Sequence, residues 1–134
     1  MKTLYEALDF KQDTMFVIVK PGFLKYTKDI IKLFEEKGWT LGKIRTKQLL
    51  LQEAQCLYEP HKKEDFFKPL CEYMISEPTT AILFVRDEPL KNKFKKVGEL
   101  KDVIRKKYGE SEMRNCIHSS DSEERLNIEK GIYF

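Results

Sequence analysis

The sequence has few of the residues that build disulfide frameworks and metal sites. Its 134 residues include only three cysteines and two histidines. The cysteines are widely spaced and form no C-x-x-C pair, which argues against a disulfide framework or a zinc site. With His61 and His118 as the only histidines, no H-x-x-x-H or H-E-x-x-H pattern occurs.

Long apolar runs and phosphate-binding loops are also missing. No stretch approaches the roughly 18–20 apolar residues of a membrane span. The N-terminal residues lack the apolar core of a signal peptide, so we expect a cytoplasmic protein that does not bind membranes. Neither G-x-x-x-x-G-K-[ST] nor G-x-G-x-x-G occurs. If the protein handles phosphate, it does so without the common glycine-rich loops.

The length and composition predict one folded domain. A chain of 134 residues with 41% hydrophobic and 35% charged residues suits a single globular unit with one core. No internal repeat or low-complexity segment divides it. Residues 1–12 show little periodicity, and we interpret them as an N-terminal arm of a domain that spans 1–134.

Hydrophobic patterning predicts strands that alternate with helices. Runs of β-branched and aromatic residues predict buried strands at 15–19 and 80–85, and a looser alternation predicts a half-exposed strand at 40–49. The segment 111–118 is either a loop or a late strand. Apolar residues at helical spacing predict helices over 27–37, 50–58, 66–74, 90–97, 100–108 and 122–128. Short connections between such elements predict an α+β fold, with helices on an antiparallel sheet.

The residues after His118 are rich in helix-capping types. Ser120 and Asp121 each precede a glutamate by three residues, which is the spacing of a capping box. This predicts a helix that starts just past His118, with N-terminal N–H groups forming an anion site beside the imidazole. Because neutral imidazole is nucleophilic near pH 7, His118 is a candidate phosphate-accepting nucleophile. An ordinary surface histidine is the alternative from these residues alone.

Positive charge is concentrated just upstream of His118. The net charge of the chain is +3, whereas the segment 86–107 contains nine basic and four acidic residues. The segment is either a solvated helix face or a surface that attracts phosphate. Lys20, at the end of the first strand, and Arg105 are candidate phosphate-binding cations. Glu129 is a candidate partner that orients the imidazole.

A set of motifs in one order resembles the nucleoside diphosphate kinase family. The motifs are Val19-Lys20-Pro21, the pair Phe66-Phe67 with Tyr73-Met74 seven residues on, Arg-Asn-x-x-His-x-Ser-Asp-Ser around His118, then Glu129 and a terminal aromatic pair. The resemblance covers roughly residues 13–134. It implies a ferredoxin-like βαββαβ fold, an antiparallel sheet covered by helices, and assembly into a homo-oligomer.

The resemblance also implies roles for eight residues. The implied catalytic group consists of His118 as the phosphorylated histidine, Ser120 as its neighbouring hydroxyl, Glu129 as the carboxylate that orients the imidazole, and Tyr58 as the aromatic that packs and hydrogen-bonds near it. The implied nucleotide-binding group consists of Lys20 and Arg105 for phosphates, Phe66 for base stacking and Asn115 for a sugar hydroxyl. The family uses Mg²⁺ bound through nucleotide phosphates, so no protein metal site is expected.

Several positions depart from the family pattern. The chain between 98 and 104 is shorter than in typical members, which removes much of a loop near the nucleotide site. The family's second phosphate-binding arginine falls at Phe94, and Lys93 or Lys95 is the expected substitute. The apolar residue that clamps the base falls at Glu112.

We therefore predict a nucleoside diphosphate kinase that moves the γ-phosphoryl of a nucleoside triphosphate to a diphosphate, by a ping-pong mechanism through phosphorylated His118. Expected partners are nucleoside di- and triphosphates, with Mg²⁺ as cofactor. One alternative is a nucleotide-binding or interaction module of the same fold with weak or no turnover, which the shortened loop would permit. A nucleic-acid binder is the weakest alternative, because aromatic residues do not interleave with the lysines of 86–107.

Overall fold

The computed structural model describes residues 13–134, which contain four strands and five α-helices. The predicted arm at 1–12 lies outside the described residues. The strands are β1 (Asp13–Val19), β2 (Thr40–Lys47), β3 (Thr79–Arg86) and β4 (Ile117–Ser119). The helices are α1 (Thr27–Glu36), α2 (Leu51–Leu57), α3 (Phe67–Met74), α4 (Lys93–Tyr108) and α5 (Glu123–Tyr133). Within 13–134, no helix is long and apolar enough to cross a bilayer.

The strands form one antiparallel sheet in the order β2-β3-β1-β4. That order, with the helix α1 between β1 and β2 and the helix α4 between β3 and β4, is the ferredoxin-like βαββαβ arrangement. The predicted α+β class is confirmed. The strand β4 forms within the segment where either a loop or a late strand was expected, and it occupies one edge of the sheet.

The centre of the sheet is packed on both faces. Every residue of 15–19 in β1 is fully buried. On one face, Phe84 of β3 stacks on Phe34 of α1 with ring centroids 4.4 Å apart. On the other face, the ring centroid of Phe16 lies 5.9 Å from that of Tyr133 in α5. The two contacts are on opposite faces because Phe16 pairs with the residue before Phe84, and successive strand residues alternate faces. The end of β1, which leads into Lys20, is therefore fixed by a close-packed core.

One continuous helix, α4, replaces the two helices predicted between 90 and 108. The prediction took Gly98 as a helix end, but this residue lies inside α4, where an added Cβ would meet no atom within 4 Å. Val97, Leu100 and Ile104 are buried on one side of the helix. Their shared packing offsets the roughly 1 kcal/mol by which glycine disfavours a helix interior.

The C-terminal helix α5 begins later than predicted. Its N-cap is Ser122, whose hydroxyl oxygen accepts a hydrogen bond from the backbone N–H of Arg125 at 3.1 Å. Ser120 does not cap the helix, because its hydroxyl donates to Glu129 instead. The helix then continues to Tyr133, beyond the predicted end at residue 128. The histidine upstream thus lies in the edge strand β4 and not at a helix N-terminus.

Candidate active site

His118 lies in the short strand β4, and its backbone is fixed from two directions. On the β1 side, the backbone N–H of Lys20 donates to the carbonyl of Cys116 at 2.8 Å. On the α4 side, Arg105 donates from Nε and Nη2 to the carbonyl of Ile117, at 3.1 and 2.9 Å. The residues immediately before the histidine are therefore tied to two separate elements of the fold.

A buried carboxylate holds the imidazole. Oε1 of Glu129 lies 2.7 Å from Nε2 of His118. Because a carboxylate only accepts hydrogen bonds, Nε2 carries the proton and Nδ1 keeps its lone pair. The same Oε1 accepts from the hydroxyl of Ser120 at 2.8 Å, and Oε2 accepts from Nε of Arg125 at 3.1 Å. Three donors thus fix Glu129, which is only 3% exposed.

The protonation states of the pair follow from their surroundings. Burial lowers the pKa of His118 below its ordinary value of 6.5, and the hydrogen bond to Glu129 only partly opposes this. Burial raises the pKa of Glu129, but the hydrogen bonds from His118 and Ser120 and the charge of Arg125 outweigh it and hold that pKa below 4.5. At neutral pH the site therefore combines an ionised carboxylate with a neutral imidazole, which is the nucleophilic form.

Tyr58 forms one wall beside the imidazole. Its ring meets that of His118 edge-on, with centroids 5.5 Å apart and planes at 76°. The side chain is buried, and its hydroxyl has no hydrogen-bond partner among residues 13–134. Burial raises the pKa of the phenol well above its usual value, so the hydroxyl stays a neutral donor. Arg125 fixes the preceding turn by donating to the carbonyls of Cys56 and Leu57, each at 3.0 Å.

These groups line a cavity of about 480 Å³, a size typical of small-molecule sites. Seven of the eight residues predicted for the site contribute to its lining: Lys20, Tyr58, Phe66, Arg105, Asn115, His118 and Glu129. Ser120 lies behind the lining, against Glu129. Phe66 is 40% exposed and its ring lies 5.4 Å from that of His61.

Four lysine and arginine side chains line the cavity: Lys20, Lys101, Arg105 and Arg125. Arg125 is paired with Glu129, whereas the other three form no ion pair within residues 13–134. Burial, followed by the charges of Arg105 and Lys101, lowers the pKa of Lys20 to about 7. Burial is also the main reason why the pKa values of Lys101 and Arg105 are lowered. Because like charges in a partly dry space disfavour one another, this cavity is suited to a bound polyanion.

The segment between α4 and β4 completes the lining with Glu112, Met113 and Asn115. Nδ2 of Asn115 donates to the carbonyl of Glu112 at 2.7 Å. The buried Oδ1 of Asn115 has no partner within the described part of the chain. This oxygen can accept a hydrogen bond from a hydroxyl of a ligand.

Lys93 and Lys95, the substitutes expected for the family's second arginine, lie away from the histidine, and that expectation is wrong. Both line a separate cavity at the start of α4. The ammonium of Lys93 donates to the carboxylate of Asp13 at 2.6 Å and to the carbonyl of Thr14 at 2.8 Å, and it also pairs with Glu123. These bonds tie α4 to β1 and α5, so Lys93 has a structural function.

Among the lining residues that were not predicted from the sequence are three basic side chains: His61, Lys101 and Arg125. Lys101 precedes Arg105 by four residues in α4, and Arg125 precedes Glu129 by four in α5. Residues four apart share a helix face. This spacing from a predicted site residue was the signal that could have found both.

A nucleophilic ring nitrogen at the wall of a cation-lined cavity is the arrangement that phosphoryl transfer requires. Together with the ferredoxin-like sheet, it defines an α+β phosphotransferase.

Comparison with known proteins agrees with this class. The family model described as nucleoside diphosphate kinase matches residues 13–134. A nucleoside diphosphate kinase of Sulfolobus acidocaldarius is 32% identical over 127 residues, which cover 89% of this chain and 88% of that protein. The corresponding enzyme of Kosmotoga olearia is 30% identical over 127 residues, covering 89% and 86%. The chain therefore belongs to the nucleoside diphosphate kinase family, and the predicted family and phosphotransferase activity are confirmed.

Solved structures show the same fold. The nucleoside diphosphate kinase of Aquifex aeolicus superposes with a TM-score of 0.78 at 25% identity, over 92% of this chain and 95% of that one. The apo enzyme of Encephalitozoon cuniculi gives a TM-score of 0.80 at 25% identity, over 91% and 88%. The ferredoxin-like architecture is thus shared across nearly the whole described chain.

Proposed function

We propose that this nucleoside diphosphate kinase transfers the γ-phosphoryl group of a nucleoside triphosphate to a diphosphate through phosphorylation of Nδ1 of His118. The observation that carries the proposal is the 2.7 Å hydrogen bond between Nε2 and Glu129. It leaves Nδ1 as the ring nitrogen with a free lone pair, in a cavity lined by cations. The neutral state of the imidazole at pH 7 supports the same assignment.

The reaction has two in-line steps. In the first, the Nδ1 lone pair forms a bond to the γ-phosphorus while the bond from that phosphorus to the β–γ bridging oxygen breaks, and the diphosphate leaves. In the second, a terminal β-oxygen of another diphosphate attacks the same phosphorus, and the N–P bond breaks to restore neutral His118. No proton has to move, because Nε2–H stays shared with Glu129 throughout.

The surrounding groups act on charge and orientation. Lys20 and Arg105 contact the phosphates, and Arg105 keeps three of its five N–H donors after its two bonds to Ile117. Donors that are already in place where charge develops are typically the largest contribution to such catalysis. Glu129, itself held by Ser120, positions the ring and stabilises the positive charge that develops on it. Tyr58 limits the rotation of the ring by packing against its edge.

The nucleoside lies at the open end of the cavity. Phe66 offers an exposed aromatic face on which a base of any type can stack. The Oδ1 of Asn115, which has no partner within residues 13–134, accepts a hydrogen bond from a sugar hydroxyl. Both assignments agree with what the family resemblance implies.

Magnesium accompanies the nucleotide in this proposal. Among residues 13–134, no group of three or more His, Cys, Asp or Glu side chains is arranged to hold a metal ion. This fits an ion that is carried by the substrate's phosphate oxygens, as is common for Mg²⁺. When bound there, Mg²⁺ offsets negative charge on the phosphates.

Self-association is also part of the proposal. The edge strand β2 is exposed along most of its length, with Leu41 38% and Ile44 46% exposed. An exposed apolar edge strand favours pairing with another chain. Sedimentation velocity of the purified protein measures the oligomer directly, and a monomer at micromolar concentration would contradict this part. A cytoplasmic location stays a prediction.

Radiolabelling tests the reaction. ATP labelled in its γ-phosphate should leave an acid-labile, alkali-stable label on the wild-type protein, and added CDP should remove it as labelled CTP. His118→Ala should take no label, while His61→Ala, which removes the other histidine of the cavity, should still be labelled. A wild-type protein that binds ADP but takes no label would instead support the nucleotide-binding module without turnover.

A further inference from the structure

Lys101 occupies a position in the cavity that neither the family resemblance nor the mechanism above uses. It lies in the middle of α4, is partly buried, and lines the same cavity as His118 and Arg105. Because it precedes Arg105 by four residues, both side chains project from one face of α4. The core residues Val97 and Ile104 lie on the adjacent stripe of the helix, which places Lys101 at the border between the core and the cavity.

The ammonium group of Lys101 is free to bind a ligand. Within residues 13–134, no carboxylate lies at ion-pair distance from it, and no hydrogen bond from its Nζ is formed. By contrast, the buried ammonium of Lys93 in the same helix is held by Asp13, Thr14 and Glu123. Among residues 13–134, Lys101 is therefore a partly buried cation without an ion-pair partner, beside two further cations.

Such an arrangement disfavours the free protein. Burial lowers the pKa of Lys101, and the charge of Arg105 lowers it further, while the charges of Asp121, Asp102 and Glu129 oppose this without reversing it. The same two cations help to lower the pKa of Lys20. A phosphate that enters the cavity offsets the repulsion among all three cations at once. The repulsion is therefore present in the free protein and removed in the complex, which favours binding of the anion.

We propose that Lys101 binds the phosphoryl group in transit between the nucleotide and His118, and so supplies the second α4 cation of the site. The proposal rests on the proposed function. The helix α4 is unbroken between these two positions, which keeps 101 and 105 in helical register. During transfer, negative charge is spread over the equatorial oxygens of the phosphoryl group. Lys101, Lys20 and Arg105 together neutralise that charge from the walls of the cavity.

Lys101→Ala, Lys101→Arg and Lys96→Ala test this assignment. Lys96 is the matched control, since it is an exposed lysine of α4 that lines none of the cavities described in residues 13–134. The first measurement is the single-turnover rate of His118 phosphorylation at saturating MgATP. The second is the dissociation constant for MgADP, measured by calorimetry.

Lys101→Ala should lower the phosphorylation rate about 100-fold, the usual effect of removing one preorganised donor from a transition state. MgADP affinity should fall far less, since the transferred group is absent from the diphosphate. Lys101→Arg should restore the rate to within about tenfold of wild type, because it keeps the charge. Lys96→Ala should stay within about twofold of wild type on both measurements, as expected for an exposed charge away from the site.

The outcomes separate this proposal from the reaction itself. If the wild type takes label and Lys101→Ala phosphorylates as fast as Lys96→Ala, Lys101 does not bind the phosphoryl group, although His118 is still the nucleophile. If the wild type takes no label, both proposals fall. Urea unfolding checks the fold. Because Lys101 has no ion-pair partner among residues 13–134, Lys101→Ala should unfold at the same urea midpoint as Lys96→Ala or at a higher one. A large loss of stability that Lys101→Arg does not reverse would assign Lys101 a structural role and overturn the proposal.

Discussion

Lys20 and Arg105 line one cavity from opposite sides of the backbone that leads to His118. The charge of Arg105 makes the protonated form of Lys20 less favourable. After burial, the charge of Arg105 is the strongest reason why the pKa of Lys20 is lowered to about 7. Between pH 7 and 10.5, the folded protein therefore binds fewer protons at Lys20 than the unfolded chain. Stability rises with pH in that window, while the fraction of charged Lys20 falls.

ADP binding should consequently take up protons at pH 8, because an anion beside Lys20 restores its ammonium form. Calorimetry in buffers of different ionisation enthalpy measures the number of protons taken up. Lys20→Arg is the matched variant, since arginine stays protonated throughout this range. It should show a clearly smaller uptake, and equal uptake in both proteins would assign the titration to another group.

Glu129→Gln should slow phosphorylation of His118 while leaving the KM for ATP nearly unchanged. The substitution keeps the shape of the side chain but removes the charge that accepts from His118, Ser120 and Arg125. A hydrogen bond to a charged group contributes about 1.5–3 kcal/mol, which corresponds to a roughly 10- to 150-fold lower rate. Glu124→Gln, on the exposed side of α5, is the control and should behave as wild type.

Phe66→Ala should weaken ADP binding without destabilising the fold. Stacking of a base on an aromatic ring is worth about 1–3 kcal/mol, so the dissociation constant should rise about 5- to 150-fold. Phe134→Ala is a matched control, because Phe134 is 41% exposed against 40% for Phe66 and lies outside the lining of the cavity. Equal affinities for the two variants, measured by calorimetry, would remove Phe66 from the nucleotide site.

Gly98→Ala should stabilise the protein by about 0.5–1 kcal/mol. The new Cβ would meet no atom within 4 Å, and alanine is favoured over glycine in a helix interior. Gly22→Ala should do the opposite, because Gly22 has a φ of +89° and a Cβ there would lie 2.8 Å from the guanidinium of Arg114. Urea unfolding of both variants decides the matter; a loss of stability in Gly98→Ala would mean that α4 is interrupted at 98.

Much of the fold was predictable because its central strands carry unambiguous apolar runs. The predicted strands at 15–19 and 80–85 form β1 and β3 with one or two residues added at their ends. The helix end predicted at Gly98 was wrong, because glycine ends a helix only when no packing interaction stabilises the turn that follows it. Here the burial of Leu100 and Ile104 holds it, and a local pattern does not reveal tertiary packing.

The candidate site was predictable only where residue types and spacing are distinctive. His118, Glu129 and Lys20 converge as expected from the ordered motifs. Ser120 was also taken as part of a cap, but the hydroxyl oxygen that accepts the capping bond is that of Ser122, and the hydroxyl of Ser120 donates to the buried carboxylate of Glu129. The partners of Lys93 lie in two other elements of the fold, β1 and α5, so nothing in its neighbouring sequence shows that it is already engaged.

The unbroken α4 also constrains how the length of this chain can change. A helix advances by about 100° and 1.5 Å for each residue. One residue inserted between Gly98 and Lys101 would turn the first half of α4 out of line with the buried face of the second half. Insertions or deletions here are therefore tolerable only in steps close to a whole turn. The irregular segment 109–116 has no such periodicity, so a single residue inserted there would disturb the packing of α4 less than one inserted in the helix.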